Sequence, residues 1–369
     1  MGVYSKILLV WVAVSQLGLC QQQQVILGKN EPPAEQPASG SETTSKSINF
    51  LATDTEFTGY LEDLMDRFHV PGVSIGVVDR KEDFTKGWGY ARLDSKEKAN
   101  GDTLYYLASI TKNLVSATLL HVIDSTSDTE NPLTIDTKIH DLIPEDFVLQ
   151  DDYAMLHATV KDLLSHQLGY PRHDLSYGGE NFTAADTVRL LRHLPMTREL
   201  REKYQYLNIG YVTAQHIIQT LTGKWIGDVH REAIFEPLGM NASTVNLTES
   251  LALEGNTLAY GYAWDNVTET LVKQEWWSGL LTGAGGLITS VNDYTKYLRA
   301  MIHQSLPFSK ELQKALVKPL TVADPVFEAD YISDYFYAMG WGVFYYRGHR
   351  VVTRKHPVFY DASTLFGSS

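Results

Sequence analysis

Tyr105-Tyr106-Leu107-Ala108-Ser109-Ile110-Thr111-Lys112 runs straight into Asn113-Leu114-Val115, with Ala117, Leu119 and Val122 beyond. The apolar positions recur at helical spacing, which predicts a helix from about Ser109 to Ile123. Residues three apart on a helix share a face, so the hydroxyl of Ser109 and the amine of Lys112 stand side by side. An amine in that place takes up the hydroxyl proton once burial leaves it uncharged. A serine in a first turn also feels the positive end of the helix, which favours an alkoxide. The S-x-x-K pattern alone is short, and Ser95-Lys96-Glu97-Lys98 matches it inside a charged stretch that reads as solvated loop. Ser109, by contrast, opens an apolar helix.

Working outward toward the N-terminus, Phe57, Leu61, Leu64, Met65 and Phe68 mark another helix, which Pro71-Gly72 breaks. Val73-Ser74-Ile75-Gly76-Val77-Val78 reads as a strand, with a turn at Asp79 and a partner strand around residues 85–91. Gly72-Val73-Ser74-Ile75-Gly76 also fits the G-x-S-x-G elbow of an α/β-hydrolase, which would make Ser74 the nucleophile. That elbow works where a strand bends sharply into a helix, whereas apolar residues here continue through Val78. The competing reading is a strand whose small residues admit a closely packed helix. Toward the C-terminus, mostly helical and loop segments extend to about residue 240. Gly283-Ala284-Gly285-Gly286 then precedes a helix bearing Tyr294, Tyr297, Leu298 and Met301, and strands at Trp341–Tyr346 and Arg350–Thr353 meet at Gly348. The pattern predicts an α+β fold: one antiparallel sheet flanked by helices, built from residues 49–108 and 284–369, with a mostly helical insertion over about 109–283. A cleft is expected at the boundary of sheet and insertion.

The 369 residues are 44% hydrophobic and 20% charged, ample for a packed core. Net charge is −13 and no stretch is strongly cationic, which argues against nucleic acid as a partner. A single cysteine excludes a disulfide framework, a cysteine-rich zinc site and an iron–sulfur cluster. His69, His173, His193 and His230 have no ligand spacing, so neither a metal nor another cofactor is expected. Residues 1–20 read as a signal peptide, with Lys6 ahead of the apolar run Ile7–Val14 and Cys20 near the cleavage region. Residues 21–48, rich in Pro, Gln, Ser and Thr, read as a disordered linker to a domain at 49–369. No second apolar stretch reaches membrane length, so the expectation is a secreted protein with no membrane contact after signal removal. Sequons at Asn181, Asn241, Asn246 and Asn266 suit that route as glycosylation sites.

Five segments in order resemble the serine β-lactamase-related family of class C β-lactamases, DD-peptidases, D-aminopeptidases and the esterases and acyltransferases that share their fold. Val70–Val78 resembles the first core strand, and Ser109-Ile110-Thr111-Lys112 the S-x-T-K nucleophile motif. Thr159-Val160-Lys161-Asp162-Leu163-Leu164-Ser165-His166 resembles a characteristic helix and turn. Tyr206-Leu207-Asn208 resembles the Y-x-N motif, and Ala284-Gly285-Gly286-Leu287-Ile288 with Asp293 a late glycine turn and helix. The resemblance covers roughly residues 50–365 and implies a β-lactamase/transpeptidase-like fold. It further implies covalent acyl transfer: Ser109 attacks a carbonyl, Lys112 and Tyr206 share the proton, Asn208 holds Lys112 and the substrate, and the Ser109 N–H is one oxyanion donor. The implied partner is a small-molecule or peptide-like acyl substrate with an ester, lactone or amide bond, and the chemistry needs no cofactor. His166 is expected to be structural. Tyr105, Tyr106, Trp276, Trp277, Trp341 and Tyr345 suit either an apolar acyl pocket or ordinary packing.

The C-terminal part departs from the family pattern. The family closes its cleft with a K-T-G or H-x-G strand, and the nearest match is His356-Pro357-Val358, with Lys355 under a shifted pairing. His356 would bind substrate, but Val358 replaces the glycine and Pro357 removes a backbone donor. The chain stops at Ser369, where the resemblance implies a further strand and a terminal helix, so the C-terminal part reads as truncated. Two alternatives therefore stand beside the hydrolase: a catalytically impaired binding homologue of the same fold, and an α/β-hydrolase using Ser74.

Overall fold

The computed structural model describes residues 9–14, 53–79, 81–179, 181–276, 281–324 and 333–353. Strands β1 (Leu9–Val14), β2 (Gly72–Val78), β3 (Asp83–Arg92) and β4 (Glu97–Lys98) form an antiparallel sheet in that order. Helix α1 (Thr55–Arg67) precedes β2 and is capped by Asp54, whose carboxylate accepts the Phe57 N–H at 2.9 Å. β2 is buried along its whole length. Its Val73, Ile75 and Val77 pack with Phe84 and Trp88 beneath Phe57, Leu61 and Met65 of α1.

The opposite face of β2 meets a later helix, Val291–His303. A Cβ at Gly76 would lie 2.7 Å from the Thr295 γ-methyl and 3.3 Å from Val291 Cβ, so glycine is what lets that helix approach. Ser74 is fully buried in mid-strand, its backbone opposite Gly87, and its Oγ donates to the Asn100 carbonyl at 2.7 Å and contacts Tyr105 Oη at 2.9 Å. No bend exposes it. The α/β-hydrolase reading through Ser74 is therefore set aside, and the small residues of this segment serve close packing.

The centre of the molecule is helix α2 (Thr111–Asp124), entered through a tight 3₁₀ turn at Ala108–Ile110. Every residue from Thr111 to Leu120 is buried, as expected of a helix packed on all sides. Helix α3 (Asn208–Thr222) lies against it and ends at Gly223 with φ +67°. The short strand β5 (Tyr105–Tyr106) and β8 (Ile288–Thr289) pair across a long stretch of chain, and α4 (Val291–His303) follows. A hairpin of β6 (Gly261–Asp265) and β7 (Thr270–Gln274) interrupts the otherwise helical insertion.

The expected α+β combination of helices and antiparallel sheet is observed, with the strands of the two ends paired differently from the single sheet read from sequence. Strands from the two ends do not share one sheet among the described residues: β9 (Thr321–Asp324), β10 (Tyr335–Tyr337), β11 (Gly342–Tyr346) and β12 (His349–Thr353) form their own antiparallel sheet. Neighbours in sequence pair in both sheets, and β11–β12 are joined by the tight turn that Arg347 and Gly348, at φ +47° and +76°, allow. Leu9–Val14 falls within the segment read from sequence as a leader. Here it is strand β1, with Leu9 opposite Val78 and Val14 opposite Val73, and it occupies the open edge of β2. No described helix is long and apolar enough to cross a membrane.

Candidate active site

Ser109 sits half-buried in the turn that opens α2. The preceding residue, Ala108, has φ +45°, a left-handed conformation that an alanine adopts only when its surroundings impose it. Thr111 supplies much of that constraint. Its hydroxyl donates to the Ala108 carbonyl at 2.6 Å and accepts the Leu287 N–H at 2.9 Å, while the Leu107 N–H reaches the Leu287 carbonyl at 2.8 Å. The serine turn is thus stapled to the segment after the glycine turn.

Lys112, one turn further on, has no exposed surface. Its Nζ donates to Asn208 Oδ1 at 2.8 Å and to the Ala284 carbonyl at 2.7 Å, and lies 3.1 Å from Ser109 Oγ. Gly283 makes the Ala284 contact possible: a Cβ there would stand 2.7 Å from both Tyr211 O and Gln215 Cβ on α3. The third group is Tyr206, whose Oη lies 2.6 Å from Ser109 Oγ. Its neighbour Leu207 gives its N–H to His166 Nδ1 at 3.1 Å, and the His166 ring packs 4.5 Å from the Tyr206 ring. His166 therefore holds the segment that presents the phenol, in line with a structural role.

A loop not singled out in the sequence completes the surroundings. Asn208 Nδ2 donates to Asp174 Oδ1 at 3.0 Å and to Tyr177 Oη at 2.9 Å, and Tyr177 in turn donates to Asp174 Oδ1. Arg172 Nε donates to Asp174 Oδ2 at 2.5 Å. Burial works against ionisation of Asp174, but the bonds from Tyr177 and Arg172 outweigh it and hold the carboxyl below the usual carboxylate range. Burial first, and then the bond to Asp174, push the Tyr177 phenol well up. The Arg172 guanidinium also lies 4.8 Å from the Tyr206 ring centre, and Lys112 Nζ 4.9 Å from it. The Arg172 cation near the phenol favours negative charge on its oxygen during proton transfer, as would Lys112 after taking up a proton.

Four of the five residues singled out for catalysis and binding, Ser109, Lys112, Tyr206 and Asn208, are brought together here. His356, with Lys355 and Val358, lies outside the described residues. Asn181, Asn241 and Asn266 are exposed, whereas Asn246 is half-buried and caps a short helix through the N–H groups of Thr248 and Glu249. Tyr105 and Trp341 belong to the core, and Trp276 stacks on Tyr260 at 4.4 Å, so packing accounts for these aromatics. Among the described residues no cluster of three or more His, Cys, Asp or Glu side chains could hold a metal. The sequence reading missed the roles of Arg172, Asp174 and Tyr177, which lie in a loop with no periodicity or motif of their own.

Chemically the arrangement is a serine hydroxyl between an amine and a phenol, able to attack a carbonyl and pass its proton to either neighbour. Residues 57–368 match the protein family described as Beta-lactamase. The unguisins hydrolase of Aspergillus campestris is 32% identical over 311 residues, covering 81% of this chain and 56% of that protein. A D-aminopeptidase of Gluconobacter oxydans is 25% identical over 266 residues, covering 70% of this chain and 47% of its own. The chain thus spans about half the length of the curated relatives it matches. Among solved structures, the octameric penicillin-binding protein homologue from Pyrococcus abyssi superposes with a TM-score of 0.69 at 25% identity, covering 80% of this chain and 66% of that one.

Proposed function

Since the chain belongs to the Beta-lactamase family, we propose that it is a serine hydrolase working through an acyl-enzyme on Ser109. The observation that carries this reading is the pair of contacts at one oxygen: Ser109 Oγ is 2.6 Å from Tyr206 Oη and 3.1 Å from Lys112 Nζ. A neutral amine has two hydrogens and one lone pair. With the hydrogens committed to Asn208 and Ala284, the lone pair faces Ser109 and can receive its proton. As ammonium, the same nitrogen donates in that direction and can return a proton through Tyr206 to the leaving group. Oγ bonds to the substrate carbonyl carbon as its proton leaves, and collapse of the tetrahedral adduct expels the leaving group with that proton. Water then repeats the sequence in reverse and frees the acid, whereas an alcohol in its place would make the step an acyl transfer. The Ser109 N–H, in the first turn where intrahelical acceptors are lacking, suits one oxyanion contact.

The D-aminopeptidase among the relatives supports an amide bond in a peptide-like substrate, and the same serine chemistry extends to esters and lactones. The exposed sequons support a secretory route. One experiment tests both: the full chain, expressed through a secretory host, is treated with a fluorophosphonate probe and, separately, with an N-glycosidase. Labelling that maps to Ser109 and is lost in Ser109→Ala, together with a mass decrease on deglycosylation, is the expected result. A folded protein that takes no label at Ser109 would return the reading to a binding homologue, and an unchanged mass would count against the secretory route.

A further inference from the structure

We propose that Asp174 is the positioning residue that fixes which end of the Asn208 amide faces Lys112, and so aims the lysine lone pair at Ser109. The inference rests on the reading of Ser109 as nucleophile and adds a residue to its machinery. An asparagine amide has nearly the same shape in either orientation, and only its neighbours decide between them. At Asn208 the oxygen meets Lys112 Nζ at 2.8 Å, and the nitrogen meets Asp174 Oδ1 at 3.0 Å and Tyr177 Oη at 2.9 Å. Turned over, the amide would set donor against donor at Lys112 and acceptor against acceptor at Asp174.

Of the two partners on the nitrogen side, only Asp174 discriminates by itself, because an ionised carboxylate accepts and never donates. Tyr177 Oη can do either. Its hydrogen, however, goes to Asp174 Oδ1, which leaves only a lone pair for Asn208. Asp174 therefore sets the direction of both bonds. Arg172 occupies the other carboxylate oxygen, Oδ2, and turns Oδ1 toward the amide. The chain of consequence runs Arg172, Asp174, Asn208, Lys112, Ser109. Without the carboxylate, a flipped amide would draw the lone pair of the neutral amine toward itself and away from the serine.

The test is a double-mutant cycle on the full chain, read as the rate constant for fluorophosphonate labelling of Ser109. Asp174→Ala is expected to slow labelling about tenfold or more in the native background, and less than about threefold in Asn208→Ala, because coupled residues are non-additive. Equal fold-losses in the two backgrounds would overturn the inference. Tyr177→Phe is expected to lose less than Asp174→Ala, since the carboxylate still accepts from Nδ2, and the reverse order would also overturn it. A second readout needs no activity: the side-chain amide resonances of Asn208, identified by their absence in Asn208→Ala. They should shift and exchange faster with water in Asp174→Ala, and in Asp174→Asn if the alanine variant folds poorly, whereas unchanged resonances would sink the link. Failure of the acyl-enzyme reading looks different, as an unlabelled native Ser109 beside perturbed Asn208 resonances.

Discussion

A lysine buried as completely as Lys112 is tolerable only when its nitrogen is fully engaged, and here the engagement is directional. Two acceptors take two hydrogens, and the remaining tetrahedral position belongs to Ser109. It follows that charge alone is not what the site needs. Lys112→Arg keeps a cation but has no accessible neutral form and places a planar fork where a tetrahedral nitrogen stood. Labelling of Ser109 in that variant is expected to fall as far as in Lys112→Ala, with both proteins folded by circular dichroism. An arginine variant that labels at the native rate would show that the lysine acts only by its charge. Tyr206→Phe removes the oxygen at 2.6 Å and leaves the amine in place, so about 10²–10⁴ of the rate should be lost, the usual scope of one proton-transfer group. Comparable residual rates in Tyr206→Phe and Lys112→Ala would mean the two act in series on one proton.

At the scale of elements, the helix that carries Lys112 is held by close backbone approaches that tolerate no side chain. Gly340, at φ +82°, sits where a Cβ would come 2.8 Å from the Lys112 carbonyl and 3.0 Å from Asn113 Cα. Gly348 has a similar φ of +76° with nothing within 4 Å. Alanine at either costs about 1–2 kcal/mol for the left-handed backbone, but only Gly340→Ala adds overpacking of about 1–3 kcal/mol against α2. Urea unfolding should therefore rank Gly340→Ala clearly below Gly348→Ala, and equal midpoints would remove the packing argument. The same contrast explains what could be read in advance. α1, the β2–β3 hairpin, α2, α4 and the β11–β12 turn each carry their pattern within their own residues, and the sequence places them all. The separate C-terminal sheet and the β6–β7 hairpin depend on which strands find each other, which alternation does not specify. At the site, Ser109 with Lys112 is a helical spacing and so is legible locally, while Tyr206-Leu207-Asn208 is legible only through resemblance. Arg172, Asp174 and Tyr177 acquire their roles from contacts with a distant helix start, and a loop has no period to announce them.

For the molecule as a whole, the buried titratable groups set how far it can be acidified. His230 lies wholly inside, with Nδ1 2.7 Å from the Thr118 hydroxyl and Nε2 without a hydrogen-bond partner among the described residues. Burial holds its pKa down to about 3 from 6.5. The unfolded chain binds this proton as pH drops below 6.5, while the folded one refuses it until about 3. The contribution of a neutral His230 is therefore complete above pH 6.5 and is lost progressively toward pH 3, by about 4 kcal/mol over the whole interval. Asp162 acts in a lower window. Burial opposes its charge, but the bonds from Arg201 and Thr159 outweigh it and hold the carboxyl below 3.8, so its contribution persists above that value and fails only in stronger acid. Between pH 6.5 and 4.5 the two windows separate, and His230 should dominate the difference between native protein and a His230→Asn variant, whose amide can still meet Thr118. The variant is expected to start less stable at pH 7.5 because it fills the site less well, and then to lose stability more slowly on acidification. Urea unfolding at pH 7.5, 6.5, 5.5 and 4.5 measures both slopes. Other titrating groups enter both proteins alike and cancel, so curves that stay parallel across that range would show that His230 accepts its proton in the folded state and that the interior around Thr118 opens to water.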